Sequence, residues 1–153
     1  MKNIAFLLLV SVTSLLAYGK PPELGKYPLI FRSSPGDYTV TILRLGPESE
    51  NTFLVKVDGL DNKHDGKIYK HTKKCMNTSC DQYYLATTQV NEDKKSRNTL
   101  YSMKSWGTWS SLKFFPPGMR EEHQLSQLAR PNNFDSKGFY YQYSGQTTKS
   151  NNK

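Results

Sequence analysis

Alternating apolar and polar residues predict several β-strands in the first two thirds of the chain. The segments 38–45 and 52–57 are rich in β-branched residues, and the turn signal Gly46-Pro47 lies between them. Because β-branched side chains suit a pleated strand, this pair of segments predicts a hairpin. The apolar run 29–31 follows a proline-rich entry segment and predicts one more short strand on the core.

The segment 67–90 predicts a second hairpin, which carries the only two cysteines of the chain. The four residues MNTS, from Met76 to Ser79, separate Cys75 from Cys80. A bond between these cysteines would turn the tip of the hairpin into a closed and stiff protrusion. A rigid loop on a β scaffold is a common way to present a binding surface. The cysteine loop is therefore the leading candidate for a functional element.

The last third of the chain is less regular. Residues 99–103 predict a further strand, and the aromatic-rich segment 106–118 is expected to cover an open sheet face, with a ligand-stacking surface as the alternative. Good helix formers over 119–129 predict one short helix, and 138–144 predicts a last strand. The predicted fold class is α+β, an antiparallel β-meander of about five or six strands with one short helix packed on it.

The first 19 residues are typical of a secretory signal peptide. Lys2 precedes an apolar run over 4–17, which is shorter than the roughly 20 residues that a membrane-spanning helix needs. We therefore predict a signal peptide over 1–19, a single α+β domain over 20–144 and a disordered polar tail over 145–153. The predicted localisation is periplasmic or secreted.

The chain is basic, with a formal net charge of +8 over its 153 residues. Removal of the predicted signal peptide takes away only Lys2 and leaves 20 basic against 13 acidic residues, a net charge of +7. Such a surface favours anionic partners in a salt-dependent way. Solubility alone would also explain the charge.

The residues that usually carry catalysis or metal binding form no recognisable motif. The three histidines His64, His71 and His123 are spread over a turn, a strand and the predicted helix, and the chain has no HExxH, paired CxxC or glycine-rich phosphate loop. We therefore predict no enzyme activity, no metal and no cofactor. A hydrolase would require His71 or His123 for turnover.

Export makes the cysteine pair a predicted disulfide, because such bonds persist outside the cytosol. Closing so small a ring contributes only about 2 kcal/mol in the loop-entropy model. So small a contribution is compatible with two interpretations. The bond stiffens the loop for recognition, or it only holds the two strands of the hairpin together. The predicted partner-binding residues are those of the loop and its flanks, namely Met76, Asn77, Thr78, Ser79, Lys73, Lys74 and Tyr83.

The lysines before Cys75 and the tyrosines after Cys80 also allow another interpretation. Basic residues beside stacking aromatics are typical of nucleic-acid binding. Lysines also protect the edge strands of natural sheets from aggregation, and the sequence favours that explanation for the lysines of 67–74.

The segment 66–103 resembles the inhibitor of vertebrate lysozyme family of bacterial periplasmic proteins. The matching residues are GKIYKHTKKC, MNTS and CDQYYLATT, followed by a polar turn and TLYSM. The resemblance implies a compact α+β domain whose C-x4-C loop, stapled by Cys75 and Cys80, projects into the active-site cleft of a lysozyme. That family's loop carries a histidine and an acidic residue, which MNTS lacks, and a charge of +7 favours an acidic target over a basic lysozyme.

These observations predict an exported inhibitor or immunity-type protein that neutralises a cell-wall hydrolase or toxin effector through the closed loop. Its expected partner is an acidic cell-wall-active enzyme or toxin. The alternative is a basic exported module that binds an anionic surface polymer or nucleic acid, although nucleic acid is the less expected partner. The sequence leaves monomer and homodimer open.

Overall fold

The computed structural model describes residues 20–34, 37–89, 99–102, 111–119 and 121–150. The predicted signal peptide lies outside these residues. The strands and the helix, in chain order, are β1 (Leu29–Ser33), β2 (Thr39–Leu45), β3 (Thr52–Asp58), β4 (Ile68–Cys75), β5 (Tyr83–Ala86), β6 (Thr99–Ser102), β7 (Ser111–Phe114), β8 (His123–Gln127) and α1 (Ser136–Ser150). A short 3-10 helix, Glu48–Glu50, connects β2 to β3. None of the helices in the described ranges is long and apolar enough to cross a membrane.

The described strands form one antiparallel sheet that closes into a barrel in strict sequence order. β8 completes the closure by pairing with β1, with Phe31 opposite Gln127 and Ser33 opposite Leu125. The predicted antiparallel meander and both predicted hairpins are confirmed. The predicted number of five or six strands is wrong, because the described residues contain eight. Closure removes the free sheet edges that an open meander would leave.

Segment 119–129 contains strand β8, and the helix predicted there is wrong. Leu125 is fully buried while its neighbours Gln124 and Ser126 are exposed, which is the alternation of a strand. β8 pairs with β7 on one side and β1 on the other. Helix propensity is a weak preference, and two ladders of backbone hydrogen bonds outweigh it here.

Segment 138–144 lies inside helix α1, and the strand predicted there is also wrong. The helix begins beside Asp135, whose carboxylate accepts a hydrogen bond from the backbone N–H of Gly138 at 2.8 Å, as a helix cap does. Phe139 and Tyr143 lie one helical turn apart and pack on the same apolar cluster. α1 continues to Ser150, so residues 145–150 are helical and the prediction of a disordered tail is wrong for them.

Two separate apolar clusters result from the strand alternation. In β3, Val55 and Val57 face the inside of the barrel, whereas Leu54 faces outward. The inner cluster consists of Phe31, Tyr38, Val40, Ile42, Val55, Val57, Leu60, Leu85, Leu112, Phe114 and Leu125. The outer cluster consists of Leu43, Leu45, Leu54, Ile68 and Phe139, with Leu24, Phe134, Tyr140 and Tyr143 packed against it. The barrel is therefore filled, and α1 covers one side of its wall.

Helix α1 also supplies hydrogen bonds to the start of β4. The side-chain amide of Gln146 bonds both the N–H and the C=O of Ile68, each at 3.1 Å. Gln89 accepts from the N–H of Lys70 at 2.5 Å. The pairing of β4 with β5 begins only at Thr72. Before that residue, these side chains make the hydrogen bonds to the β4 backbone that a neighbouring strand would otherwise make.

Candidate functional site

The cysteine loop lies at the end of the barrel where β4 turns into β5. Cys75 ends β4 and is bonded to Cys80, with the two Cα atoms 4.8 Å apart, so the predicted disulfide is confirmed. Just before the loop, the N–H of Lys73 donates to the carbonyl of Asn51 at 2.8 Å. Asn51 belongs to the β2–β3 connection, which thereby supports the base of the hairpin.

Hydrogen bonds within the loop hold it in one conformation. The N–H of Met76 donates to the carbonyl of Gln82 at 2.8 Å, and the N–H of Cys80 donates to the carbonyl of Asn77 at 3.2 Å. Cys80 has a φ of 56°, a left-handed conformation that few non-glycine residues adopt. The side-chain amide of Asn77 donates to the carboxylate of Asp81. The disulfide and these bonds together make the loop a rigid element.

Asp81 is an organising residue that the sequence pattern does not reveal, because the hairpin predicted over 67–90 has only MNTS as its loop. β5 begins only at Tyr83, and Asp81 belongs to the loop. Hydrogen bonds from the side chains of Asn77 and Ser79 lower the pKa of its carboxyl group. The sequence signal for this role is the amide of Asn77 and the carboxylate of Asp81, which lie four residues apart on either side of Cys80.

The four loop residues point to solvent. Met76, Asn77, Thr78 and Ser79 are all exposed. Met76 is 55% exposed, the largest fraction for any large hydrophobic side chain among the described residues. Most other large apolar residues that the structure describes lie in the inner or the outer cluster. Met76 is an exception, because it is exposed to solvent on a rigid loop.

The structure separates the predicted flanking residues into two faces. Lys73 and Tyr83 lie together, with the Lys73 ammonium 4.3 Å from the centre of the Tyr83 ring. Tyr83 is only 6% exposed, so its ring packs under Lys73 and offers little contact surface. Lys74 is exposed and lies opposite Tyr84 on the other face of the hairpin. The disulfide, the loop and Lys73 form one surface, which we call the loop surface.

The three histidines lie on different elements, and each has a partner within the fold. The Nδ1 of His64 lies 2.7 Å from the hydroxyl of Tyr69 at the β3–β4 connection. In β8, the Nδ1 of His123 lies 3.0 Å from the hydroxyl of Tyr38. Burial raises the pKa of Tyr38, so this hydroxyl stays protonated. The described residues contain no group of three or more metal-ligating side chains.

His71 lies inside the barrel and is held neutral by burial. Its Nδ1–H donates to the carbonyl of Tyr69 at 3.1 Å, and desolvation lowers its pKa from 6.5 to about 4. An imidazole in the unfolded chain takes up a proton near pH 6.5, whereas the folded protein resists this until about pH 4. The contribution of neutral His71 to the free energy of folding is therefore fully present above pH 6.5. It is lost as the pH decreases toward 4.

We expect this histidine to cost the fold about 3 kcal/mol of stability between pH 6.5 and 4, at 1.36 kcal/mol per pKa unit. Urea denaturation at a series of pH values would measure the slope. His71→Gln should flatten the slope over this range. An equally steep slope in His71→Gln would contradict the assignment.

The aromatic segment contributes to the core where it is described. Phe114 lies in β7 and is buried in the inner cluster, and Phe115 is half-buried. Trp106 and Trp109 lie outside the described residues. The prediction that this segment supplies core is thus confirmed for Phe114.

No protein-family model, curated protein or solved structure matches this chain. The resemblance of 66–103 to the inhibitor of vertebrate lysozyme family therefore stays a prediction.

Proposed function

We propose that this chain is an exported inhibitor or immunity-type protein that neutralises a cell-wall hydrolase or toxin effector. The observation that carries the proposal is the closed loop from Cys75 to Cys80, which is exposed at all four of its inner residues and fixed on a closed barrel. An inhibitor loop must keep its own conformation when it occupies the cleft of its target. A loop with this many internal constraints suits that role.

Rigidity lowers the entropy cost of binding. A flexible loop loses conformational freedom when a partner orders it, at about 0.5–1.5 kcal/mol for each immobilised side chain. In this protein the disulfide and the bonds of Met76, Asn77 and Asp81 fix the loop before any partner arrives. The closed ring is too small to stabilise the whole fold much, so its position favours a local function.

The loop surface also indicates the kind of partner. Met76 provides an exposed apolar group, and a thioether side chain adapts to irregular pockets. Lys73 adds a positive charge to the same surface, and the net charge of the chain after residue 19 is +7. An apolar pocket bordered by carboxylates, as in an acidic hydrolase, would complement this surface.

Capture experiments with loop variants test the proposal. The chain from residue 20 would be immobilised and exposed to periplasmic extract and to lysate containing effectors of neighbouring bacteria. A captured hydrolase would then be purified, and the inhibition of its peptidoglycan turnover would be titrated. We expect Met76→Asp and the pair Cys75→Ser/Cys80→Ser each to weaken inhibition at least tenfold.

Met119→Asp is the matched control, because Met119 is an exposed methionine, 43% accessible, outside the loop surface. It should inhibit as well as the unchanged protein. Circular dichroism should show that all variants keep the β-rich fold. Equal inhibition by Met76→Asp and Met119→Asp would remove the loop from the interface and overturn the proposal.

A further inference from the structure

The disulfide of the cysteine loop is open to solvent. Cys75 is exposed and Cys80 is half-buried, so a thiol can approach the bond while the barrel stays closed. Neither cysteine belongs to the inner or the outer cluster. Exposed disulfides are the labile ones that take regulatory roles, whereas structural disulfides resist reduction. Its position therefore distinguishes this bond from a staple of the core.

The barrel has its own support on both sides of the bond. β4 pairs with β3 over residues 68–72 and with β5 over 72–75, and the sheet closes where β8 meets β1. These backbone ladders and the inner cluster hold the strands together independently of the sulfur atoms. We therefore expect cleavage of the bond to open the loop and to leave the barrel folded.

The closed ring also keeps one of its residues in an unfavourable backbone conformation. Cys80 has a φ of 56°, and a non-glycine residue in this left-handed region is strained. The N–H of Cys80 donates to the carbonyl of Asn77 at 3.2 Å within the same ring. Once the bond to Cys75 is broken, Cys80 can leave this conformation and the hydrogen bond is no longer enforced. Relief of this strain favours opening.

Charged side chains on the two sides of the bond favour one direction of cleavage. Lys73 and Cys75 are two residues apart in β4 and so share a face. The Lys73 ammonium lies 4.3 Å from the ring centre of Tyr83, which is the residue paired with Cys75. Asp81, by contrast, adjoins Cys80 in the loop. A thiolate is thus favoured at Cys75 and disfavoured at Cys80.

We propose that the Cys75–Cys80 disulfide is a thiol-exchange site, at which a dithiol reductant opens the loop while the barrel stays folded. A thiolate of the reductant attacks the Sγ of Cys80 and forms a mixed disulfide. The bond between the two cysteines breaks, and Cys75 leaves as a thiolate that takes up a proton. The second thiol of the reductant loses its proton and attacks the reductant's own sulfur in the mixed disulfide, which releases Cys80 as a thiol. Two electrons pass to the loop, and the reductant becomes a disulfide.

The consequence for a partner rests on the proposed inhibitor function. The oxidised loop is ordered before it meets a partner, whereas the reduced loop would lose conformational freedom on binding. The loop surface is thus competent for binding when the bond is closed and weakened when it is open. Reoxidation closes the ring again and restores the surface.

The rate of reduction by dithiothreitol tests the exchange site, with the free thiols alkylated and counted by mass spectrometry. We expect reduction no more than about a hundredfold slower than that of oxidised glutathione under the same conditions, because the bond is exposed. Lys73→Gln should slow the reaction about threefold. Lys74→Gln removes the same charge from the opposite face of β4 and should slow it less. A slower reaction of the unchanged protein, or equal effects of the two substitutions, would overturn the proposal.

Nuclear magnetic resonance spectra of the oxidised and reduced protein show whether the loop opens alone. The N–H groups of Met76 and Cys80 should exchange with deuterium at least about tenfold faster after reduction, because the closed ring no longer fixes their hydrogen bonds. The amide signals of Val55 and Leu125, both buried in the barrel, should keep their positions. Displaced signals of Val55 and Leu125 would make the bond a staple of the whole fold. Unchanged exchange at Met76 and Cys80 would mean that the loop stays closed without it, and either result would overturn the proposal.

Inhibition of the captured hydrolase, titrated before and after reduction, connects the exchange site to the inhibitor function. The reductant is removed by desalting before the assay, and we expect reduction to weaken inhibition at least tenfold and reoxidation to restore it. If Met76→Asp weakens inhibition and reduction does not, the switch fails while the inhibitor function stands. If neither weakens it, the inhibitor function fails, and the rates and spectra still decide whether the bond is an exchange site.

Discussion

Replacing Phe31 with alanine should lower the free energy of unfolding by about 3–5 kcal/mol, the range for large aromatic truncations in a core. The ring is completely buried in the inner cluster, and its strand β1 pairs with both β2 and β8. The substitution therefore leaves a cavity at the seam where the barrel closes. The change is a large part of the 5–15 kcal/mol that stabilises an ordinary domain.

Guanidinium denaturation followed by circular dichroism measures this effect, and Tyr27→Ala is the matched control. Tyr27 is an exposed aromatic residue only four positions earlier in the chain. Its removal should change stability by no more than about 0.5 kcal/mol. A similar cost for both variants would mean that the inside of the barrel is not the main core.

Replacing Phe139 with alanine should cost about 3 kcal/mol, at the lower end of the range for phenylalanine. Phe139 is buried between α1 and the barrel wall and packs against Phe134, with the ring centres 5.5 Å apart. A surface helix can relax toward the wall, and alanine favours a helix more than phenylalanine does. These two effects reduce the loss.

Tyr141→Ala is the control for this prediction, because Tyr141 lies on the same helix with its side chain exposed. It should be nearly neutral in the same denaturation experiment. The pair tests directly whether 138–144 is a helix. If the segment were the strand that its sequence suggests, residues 139 and 141 would share a face and respond alike.

The two large effects concern the two sides of one wall. The inner cluster closes the barrel, and the outer cluster attaches α1 over β2, β3 and the start of β4. The loop surface lies outside both clusters, at the tip of the β4–β5 hairpin. The described fold thus has separate regions for stability and for the proposed loop surface.

The sequence predicted the first six strands, including β6 from 99–103, because their local signals agree. β-branched segments and the turn dipeptides Gly46-Pro47, Asp58-Gly59 and Asp65-Gly66 all indicate hairpins, and the strands on either side of them do pair. At Gly59, for example, φ is 102° and a Cβ atom would lie 2.6 Å from the carbonyl of Asp37, so only glycine fits this turn. The cysteine loop followed from the same hairpin logic, since residues next to a turn must meet.

Local signals were misleading in the last third of the chain. Segment 119–129 has helix formers and 138–144 has strand formers, yet they form β8 and part of α1. Propensities differ by fractions of a kcal/mol per residue, which the pairing of β8 with β1 and β7 outweighs. Leu125 is buried because β1 and β7 lie on either side of it, and β1 is about a hundred residues away in sequence.

The sequence by itself determined the β-rich class, the hairpins and the closed cysteine loop, because contacts between neighbours along the chain carry those features. Only the tertiary structure decided that the sheet closes and that α1 covers one side of the wall. Closure depends on the pairing of β1 with β8, which brings together residues from opposite ends of the domain. No local pattern encodes such a contact, since its free energy arises only when the strands between the two ends have paired in order.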